Sequence, residues 1–355
     1  MKVDTQKELA ADLKSIRNIR LIFSGLLLMV AIFLILDIFL GSVSIKASEV
    51  IKAIFTHADS NFETIILKFR LPKAITALTV GVALSLSGLQ MQTVFRNPMA
   101  GPYVLGISSG ASLGVAFVIL GFSSSITPDS LNGLGNWILV AVSWAGAGAV
   151  MLLIMVISSK VKDIMTILIL GIMLSSGISA VVTIMQYFSN ETMLKAYVIW
   201  TMGSLGNLTS SQLNVLLISV SAGVILSLFS SKMLNALLLG ENYAGSIGLN
   251  VKFARVVIFI CTSILAGSVT AFCGPIGFIG IAVPHIVRIL FKTSDHKILI
   301  PGTILMGGAV MLISDIISQL PGSENVLPVN AVTSLIGIPV VIWVIMRNRK
   351  YSGPF

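Results

Sequence analysis

Charge is what this sequence has least of. Of its 355 residues only 10% are Asp, Glu, Lys or Arg, while 55% are apolar; a soluble domain averages about 25% charged residues. That balance excludes water as the main solvent of the folded chain. Cysteine is scarce as well. Cys261 and Cys273 both sit in apolar sequence, which argues against a disulfide framework or a zinc site. The three histidines, His57, His285 and His296, and the 14 carboxylates show no catalytic or metal-ligand spacing, so no catalytic residue and no metal site is expected. There is no G-x-x-x-x-G-K-[ST] loop to cradle nucleotide phosphates. If ATP drives this protein, another subunit must hydrolyse it. No soluble domain, low-complexity tract or long linker is visible either.

What is present is apolar sequence in long runs, near 21–40, 72–95, 102–121, 136–158, 164–188, 212–230, 253–272, 276–291, 298–318 and 329–346. A bilayer-crossing helix needs roughly 20 such residues, so the runs predict an all-α, polytopic fold of about ten transmembrane helices. The run 276–291 is short and opens Gly-Pro-Ile-Gly, the mark of a half-length or broken helix that needs protein or water around it. The first run, Leu21 to Leu40, is too long for a secretory apolar core and no small-residue cleavage pattern follows it, so an uncleaved first span is expected.

The formal charge of +9 comes without the dense basic patch and interleaved aromatics of a strand-binding surface, so nucleic acid is not an expected partner. Membrane topology accounts for it instead. With Lys2, Lys7, Lys14, Arg17 and Arg20 holding the N-terminus inside, most of the 23 basic residues fall on the cytoplasmic side of ten alternating spans; Lys46, Lys52, Lys68, Arg70 and Lys73 are grouped in or beside the first external loop. The expected organisation is a cytoplasmic N-terminal segment over 1–20, a transmembrane domain over 21–346 and a cytoplasmic tail over 347–355. Both ends would then face the cytoplasm, in the inner (cytoplasmic) membrane.

Small residues recur within the spans. Gly106, Gly110 and Gly114 share one ridge, and Ala145-Gly146-Ala147-Gly148 is a second small-residue stretch; both predict close helix packing and say nothing of cargo. Spans two to five begin outside and seven to ten inside, as in an inverted repeat, although no sequence match between the halves supports one. Intramembrane carboxylates, which a cation-coupled carrier usually needs, are few. Asp37 and Asp315 lie near the outer ends of their spans, and Ser314 and Ser318 are close enough in sequence to bond Asp315.

Three longer patterns are more specific. One runs Arg70-Leu71-Pro72, Gly81, Ser87-Gly88, Gln92, Arg96-Asn97-Pro98-Met99-Ala100-Gly101-Pro102 and Leu105-Gly106. Another is Gly274-Pro275-Ile276-Gly277-Phe278-Ile279-Gly280-Ile281 followed by Pro284-His285-Ile286-Val287-Arg288. The third is Leu234-Asn235-Ala236-Leu237-Leu238-Leu239-Gly240-Glu241, then Ala244 and Ile247-Gly248-Leu249. In this order and spacing they resemble the permease family of ferric-siderophore, haem and cobalamin importers, the FecCD-type permeases of type II ABC importers, from about Arg70 to Pro339.

The resemblance implies a type II ABC importer permease fold, working as a homodimer with the path on the two-fold axis. Two cytoplasmic ABC ATPase subunits and a periplasmic or extracellular substrate-binding protein would be its partners, besides membrane lipid. It implies no cofactor bound directly, ATP being used by the partner ATPase, and no enzymatic chemistry in this chain.

Each motif also has a plain physical reading. Pro72 suits the first turn of a helix and Arg70 before it is a snorkelling anchor; the resemblance implies instead that Arg70 faces the mouth and docks the binding protein. Arg96, Asn97 and Pro98 end the second span, since the residue before proline disfavours helical torsions; the family adds that this turn shapes the inner pathway. Pro284, His285 and Arg288 mark the cytoplasmic end of span eight, where His285 and Arg288 share a helix face as interfacial anchors or, by resemblance, near the ATPase contact. Segment 234–249 reads as two short helices joined at Gly240 and closed at Gly248. By resemblance it is the coupling segment that docks on the ATPase, with Leu239, Gly240, Glu241, Ala244 and Gly248 in the contact.

The chain departs from the family pattern near its end. It has Asp315 and Gln319 where an aspartate and an arginine are usual, and Val326-Leu327-Pro328 with Asn330 where Glu-Leu-Pro and glycine are usual. The expected function is a permease subunit for a metal-chelate nutrient. Its alternatives are a cation-coupled secondary transporter, which needs no ATPase, and an exporter or lipid-handling ABC permease, which needs no binding protein. Sequence does not name the cargo. Met165, Met193 and Met202 are either wall residues of a path or simple packing.

Overall fold

In hydrocarbon every backbone N–H and C=O must be satisfied within the protein, and the apolar runs of this chain do so as helices. The computed structural model describes residues 2–41, 43, 45–56, 61–121, 134–161, 163–319 and 326–348, and no strand occurs among them. His57, Lys162, the tail from Arg349 onward and the loop positions Ser125 and Ser352, natural sites for topology labels, lie outside the described residues.

The elements in order are α1 (Lys2–Phe39), α2 (Ala47–Thr56), α3 (Asn61–Thr64), a π-helical stretch (Ile65–Arg70), α4 (Leu71–Val94), α5 (Ile107–Ile119), α6 (Leu134–Lys160), α7 (Ile164–Phe188) and α8 (Glu191–Thr201). They continue with α9 (Ser210–Phe229), α10 (Ser231–Leu238), α11 (Glu241–Ser246), α12 (Val251–Cys273), α13 (Ile279–Phe291), α14 (His296–Ser318) and α15 (Val329–Asn348). Each of the ten apolar runs holds one helix. Seven helical segments are long and apolar enough to cross a membrane, and Ile107–Ile119, Ile279–Phe291 and Val329–Val344 are shorter apolar helices.

Three details differ from the sequence reading, each for a local reason. The third run does not become a helix until Ile107, because Pro98 and Pro102 lack N–H donors and the chain enters the left-handed region at Arg96 (φ 47) and Gly106 (φ 81). Pro72 stands in the first turn of α4 as expected, but the helical path also continues back through the π-helical stretch to Asn61, and a widened turn beside a proline relieves the missing i→i−4 bond. Helix α8 lies between the apolar runs 164–188 and 212–230, where the sequence reading placed no span. Asn190 caps it by accepting from the Met193 N–H at 2.9 Å.

Helix α4 is the axis of the bundle, with 89% of its apolar window buried against 17% for α1. It packs on α14, α12, α13 and α9. Close approach is possible because small residues face one another: a Cβ on Gly88 would strike the Gly280 backbone, and one on Gly110 the Gly146 backbone. Polar ties satisfy the buried side chains. Gln90 of α4 donates to Ser227 Oγ of α9 at 2.7 Å and accepts from Thr262 Oγ1 of α12 at 2.8 Å. Helices α1, α6, α7 and α9 form the rim and expose Leu27, Leu152, Ile169 and Ile218, an apolar surface suited to lipid or another protein rather than to water.

Candidate functional site

At the end that the charge pattern assigns to the outside, Arg70 closes the last π-helical turn before α4. The plain reading is a snorkelling anchor, and the family resemblance implies a guanidinium facing the mouth. It is only 7% exposed and turns inward, its Nη1 donating to the Ile38 and Phe39 carbonyls at 3.1 and 2.9 Å and its Nη2 to the Val43 carbonyl. A cation at the C-terminal end of α1 satisfies orphan carbonyls and the negative end of the helix dipole together.

Beside it lies a second cluster. Gln319 Nε2 donates to Asp37 Oδ1 and to Asp315 Oδ2, each at 2.9 Å. Lys73 Nζ meets Asp315 Oδ1 at 3.0 Å. Asp37 Oδ2 has no donor among the described residues. Arg70, Lys73 and Gln319 border an outer cavity of about 670 Å³ that also reaches Trp200, Met202 and Phe272. Gln319 thus occupies the position of the family's arginine as an inward-facing bridge between two carboxylates.

A second cavity, about 680 Å³, lies between α7, the turn after α4 and the start of α13. Ser175, Ser176 and Ser179 of α7 line one side, and Met99, Tyr103 and Phe278 the other. Of the methionines singled out from sequence, Met202 lines the outer cavity, Met193 is packed in a core cluster with Val115, and Met165 is exposed at the start of α7.

At the opposite end, which the charge pattern assigns to the inside, two sequence motifs meet. His285 donates from Nε2 to the Pro98 carbonyl at 2.7 Å. Arg288 Nη1 donates to Gln92 Oε1 at 2.5 Å, and Gln92 Nε2 donates to the Ile281 carbonyl at 3.1 Å. The Asn97 side chain caps its own turn through the Met99 N–H at 2.9 Å, while Arg96 stays exposed. Pro284 is buried within α13. His285 and Arg288 therefore latch α13 to the turn that ends α4, a contact more specific than interfacial anchoring.

The segment 234–249 forms two short helices, α10 and α11, as its pattern predicts. Between them Gly240 adopts φ 103, ψ 154, a region essentially closed to other residues, and Gly248 (φ 91) ends the pair. Leu239, Tyr243 and Ile247 are at least half exposed while Ala244 is fully buried. Glu241 is not part of this open ridge. Its carboxylate takes a two-pronged contact from Arg255 of α12, Nε to Oε1 at 2.8 Å and Nη2 to Oε2. On the other arm Asn235 donates to Asp295 Oδ1 at 2.7 Å and accepts from the His296 backbone N–H and ring Nδ1–H at 2.8 and 2.7 Å. The opposite ring nitrogen lies 2.9 Å from Thr93 Oγ1 on α4. Asp295 also caps α14, and the Lys297 backbone N–H, followed by the Asn235 amide, holds its carboxyl below the usual carboxylate range.

Sequence reasoning missed Lys73, Arg255 and His296, and quoted Asn235 without giving it a role. Asp295 before His296 is a legible helix cap, but nothing in the local sequence says which distant side chain completes it. Among the described residues no three His, Cys, Asp or Glu side chains converge to hold a metal.

The model of the FecCD transport family matches residues 27–347. The hemin transport system permease protein HmuU of Yersinia pestis is 35% identical over 286 residues, 80% of this chain and 84% of that one. The vitamin B12 import system permease protein BtuC of Escherichia coli O9:H4 (strain HS) is 34% identical over 289 residues, 81% and 85% of the two chains. Among solved structures, an inward-facing ABC transporter of the metal-chelate type aligns with a TM-score of 0.78 at 27% identity, covering 92% of this chain and 99% of that one. PsaBC from Streptococcus pneumoniae, at 15% identity and a TM-score of 0.52 over 80% of this chain and 93% of that one, shares the fold.

Proposed function

This chain belongs to the FecCD transport family, and on that premise we propose that it is the permease subunit of an ATP-driven importer of a metal-chelate nutrient, a ferric siderophore, haem or cobalamin. It is a multi-pass membrane protein and a transport subunit, and ATP is hydrolysed by a separate partner. The observation that carries the reading beyond family membership is the segment 234–249. An apolar ridge of Leu239, Tyr243 and Ile247 is exposed on a glycine-jointed helix pair, at the face the basic residues assign to the cytoplasm, where water surrounds it unless a protein covers it.

The permease works as a homodimer with two cytoplasmic ATPases below and a substrate-binding protein above, in the cytoplasmic membrane with both termini inside. Helix α7 supports a partner across the path, since it is thinly packed on its own chain and exposes Ile169, Ile172 and Met173. Cargo would pass the serine-lined face of α7, whose cavity is within the usual 300–1,000 Å³ range for ligand sites. No cofactor is bound directly. ATP binding moves the 234–249 segments and switches the path between outward and inward access.

Proteoliposomes holding the permease, its ATPase and its binding protein test this with haemin, cobalamin and a set of ferric siderophores. ATP-dependent uptake of one of them is expected. Uptake driven by a proton or sodium gradient without ATPase would establish the secondary-carrier reading instead. Cysteine labels at Lys195, outside, and Ser246, inside, check the topology; reaction of Ser246→Cys in intact cells would reverse it.

A further inference from the structure

The docking ridge is joined to the bundle by two unlike arms, and they grip different helices. On the α11 side Glu241 is held by Arg255 of α12. On the α10 side the polar groups of Asn235 are committed to the first turn of α14: its amide to Asp295, its carbonyl to both donors of His296. Because Asn235 Oδ1 can only accept, His296 carries a proton on Nδ1, and its other nitrogen faces Thr93 Oγ1. Thr93 lies in the last turn of α4, directly before the Arg96-Asn97-Pro98 turn that His285 latches to α13.

We propose that Asn235, His296 and Thr93 are positioning residues that carry movement of the cytoplasmic docking segment to the inner end of α4, a proposal that rests on the permease reading above. His296 is fully buried. If α10 moved without it, the imidazole and the first N–H of α14 would lose their acceptor in a water-poor interior, where unmade hydrogen bonds are costly. The lower-energy course is for α10, the start of α14 and the end of α4 to move together. Gly240, between the two arms, lets α10 swing while α11 stays on Arg255, and the Arg96 guanidinium lies 3.4 Å from where a Gly240 Cβ would stand. The turn after α4 thus meets the docking segment at its hinge as well as through the relay.

A chain of contacts becomes a coupling path only when breaking it uncouples two measurable events. The test uses reconstituted complexes: uptake and hydrolysis are measured on unlabelled protein, and the response to ATP is read separately from an environment-sensitive dye on Met99→Cys, in the turn after α4; Cys261 and Cys273 are buried. Wild type, Asn235→Ala, Thr93→Val and the pair are compared, with exposed Lys232→Ala as a control on α10. ATP hydrolysis and ATPase co-purification are expected to persist in every variant. Uptake per ATP of whichever probe chelate the wild type carries is expected to fall about tenfold, within the usual 5–150-fold range of coupling factors. The dye response to ATP is expected to disappear, and the pair is expected to match either single variant. Thr93→Val keeps its shape, so it informs even if Asn235→Ala folds poorly. Hydrolysis and uptake falling in proportion, additive losses in the pair, or a dye that still responds would overturn the relay. A wild-type complex that recruits no ATPase would overturn the permease reading, and the relay with it.

Discussion

The Gln319 amide and the Asp37 carboxylate meet 2.9 Å apart and join α14 to α1. The same amide nitrogen gives its second proton to Asp315, which also holds Lys73. Gln319 thus bridges the two carboxyl groups, while Lys73 pairs with Asp315. From sequence, Gln319 stood where the resembled family usually has an arginine. In the structure it is buried and acts as an internal fastener.

That arrangement makes the two aspartates unequal. Asp37→Asn replaces a carboxyl group buried beside Asp315 with a neutral amide whose oxygen still accepts from Gln319, so thermal stability in nanodiscs is expected to stay level or rise. Asp315→Asn leaves Lys73 without its partner and is expected to lower it. Loss of one partner of a buried pair costs about 3–5 kcal/mol, and the 19% exposure of the Lys73 side chain reduces this to roughly 1–3 kcal/mol. Equal shifts in the two variants would disprove the asymmetry.

Arg70→Ala is expected to destabilise the protein by about 3 kcal/mol, since three carbonyls at the end of α1 lose a charged donor. Arg70→Lys is expected to recover only part, because one ammonium cannot span the positions the planar guanidinium reaches. Differential scanning fluorimetry measures both. An Arg70→Ala variant that melts like wild type yet no longer binds the substrate-binding protein would return this arginine to a docking role, with Lys73 as its neighbour at the cavity wall.

How much of this was legible in the sequence follows from the range of the forces involved. A helix could be read in each of the ten apolar runs, seven of them long enough to cross a membrane, because such runs record where hydrocarbon surrounds the chain. The Gly240 and Gly248 breaks could be read too, since positive φ is a local demand. The start of α5 at Ile107 was misplaced because run length hides a turn built from Arg96, two prolines and Gly106. The pairings of Asn235 with His296 and of Gln319 with Asp37 were not legible at all. They join residues 61 and 282 positions apart, and no local pattern specifies such partners.

The glycine positions separate packing from helix propensity. Gly88→Ala would drive a methyl into the Gly280 backbone, and overpacking of this kind typically costs 1–3 kcal/mol or more. Gly148→Ala meets nothing within 4 Å, and the same change there is expected to be neutral or stabilising by up to about 1 kcal/mol. Thermal unfolding of the two variants side by side decides the matter. Equal effects would mean that the α4–α13 approach is not close-packed.

Attachment of the docking segment is expected to be insensitive to pH across the physiological range. Asp295 is held below the ordinary carboxylate range by the Lys297 N–H, so its contribution is complete above the unfolded value of about 3.9 and is lost only as pH falls through the lowered folded value. Hydrogen exchange at the His296 amide should therefore show constant protection from about pH 8 to about pH 5 after correction for intrinsic rates. Loss of protection near neutral pH would point to His296 rather than Asp295 as the controlling group.

The joint at Gly240 yields the last expectation. Its φ of 103 and ψ of 154 place it where a Cβ costs of order 1–3 kcal/mol, so Gly240→Ala favours docking segments in which α10 and α11 are no longer set at their native angle. The ATPase would then meet a ridge whose competent fraction has dropped, and apparent affinity falls with that fraction. About tenfold per 1.4 kcal/mol follows. Gly245→Ala is the matched control, because Gly245 lies within α11 with nothing within 4 Å of an added Cβ and should gain helix propensity. Surface plasmon resonance with the permease in nanodiscs and the ATPase as analyte gives both numbers. Weaker binding for Gly240→Ala with unchanged or tighter binding for Gly245→Ala is the expected result. Equal affinities would mean that the ATPase does not read the angle between the two helices, and the ridge of Leu239, Tyr243 and Ile247 would have to dock as two independent contacts.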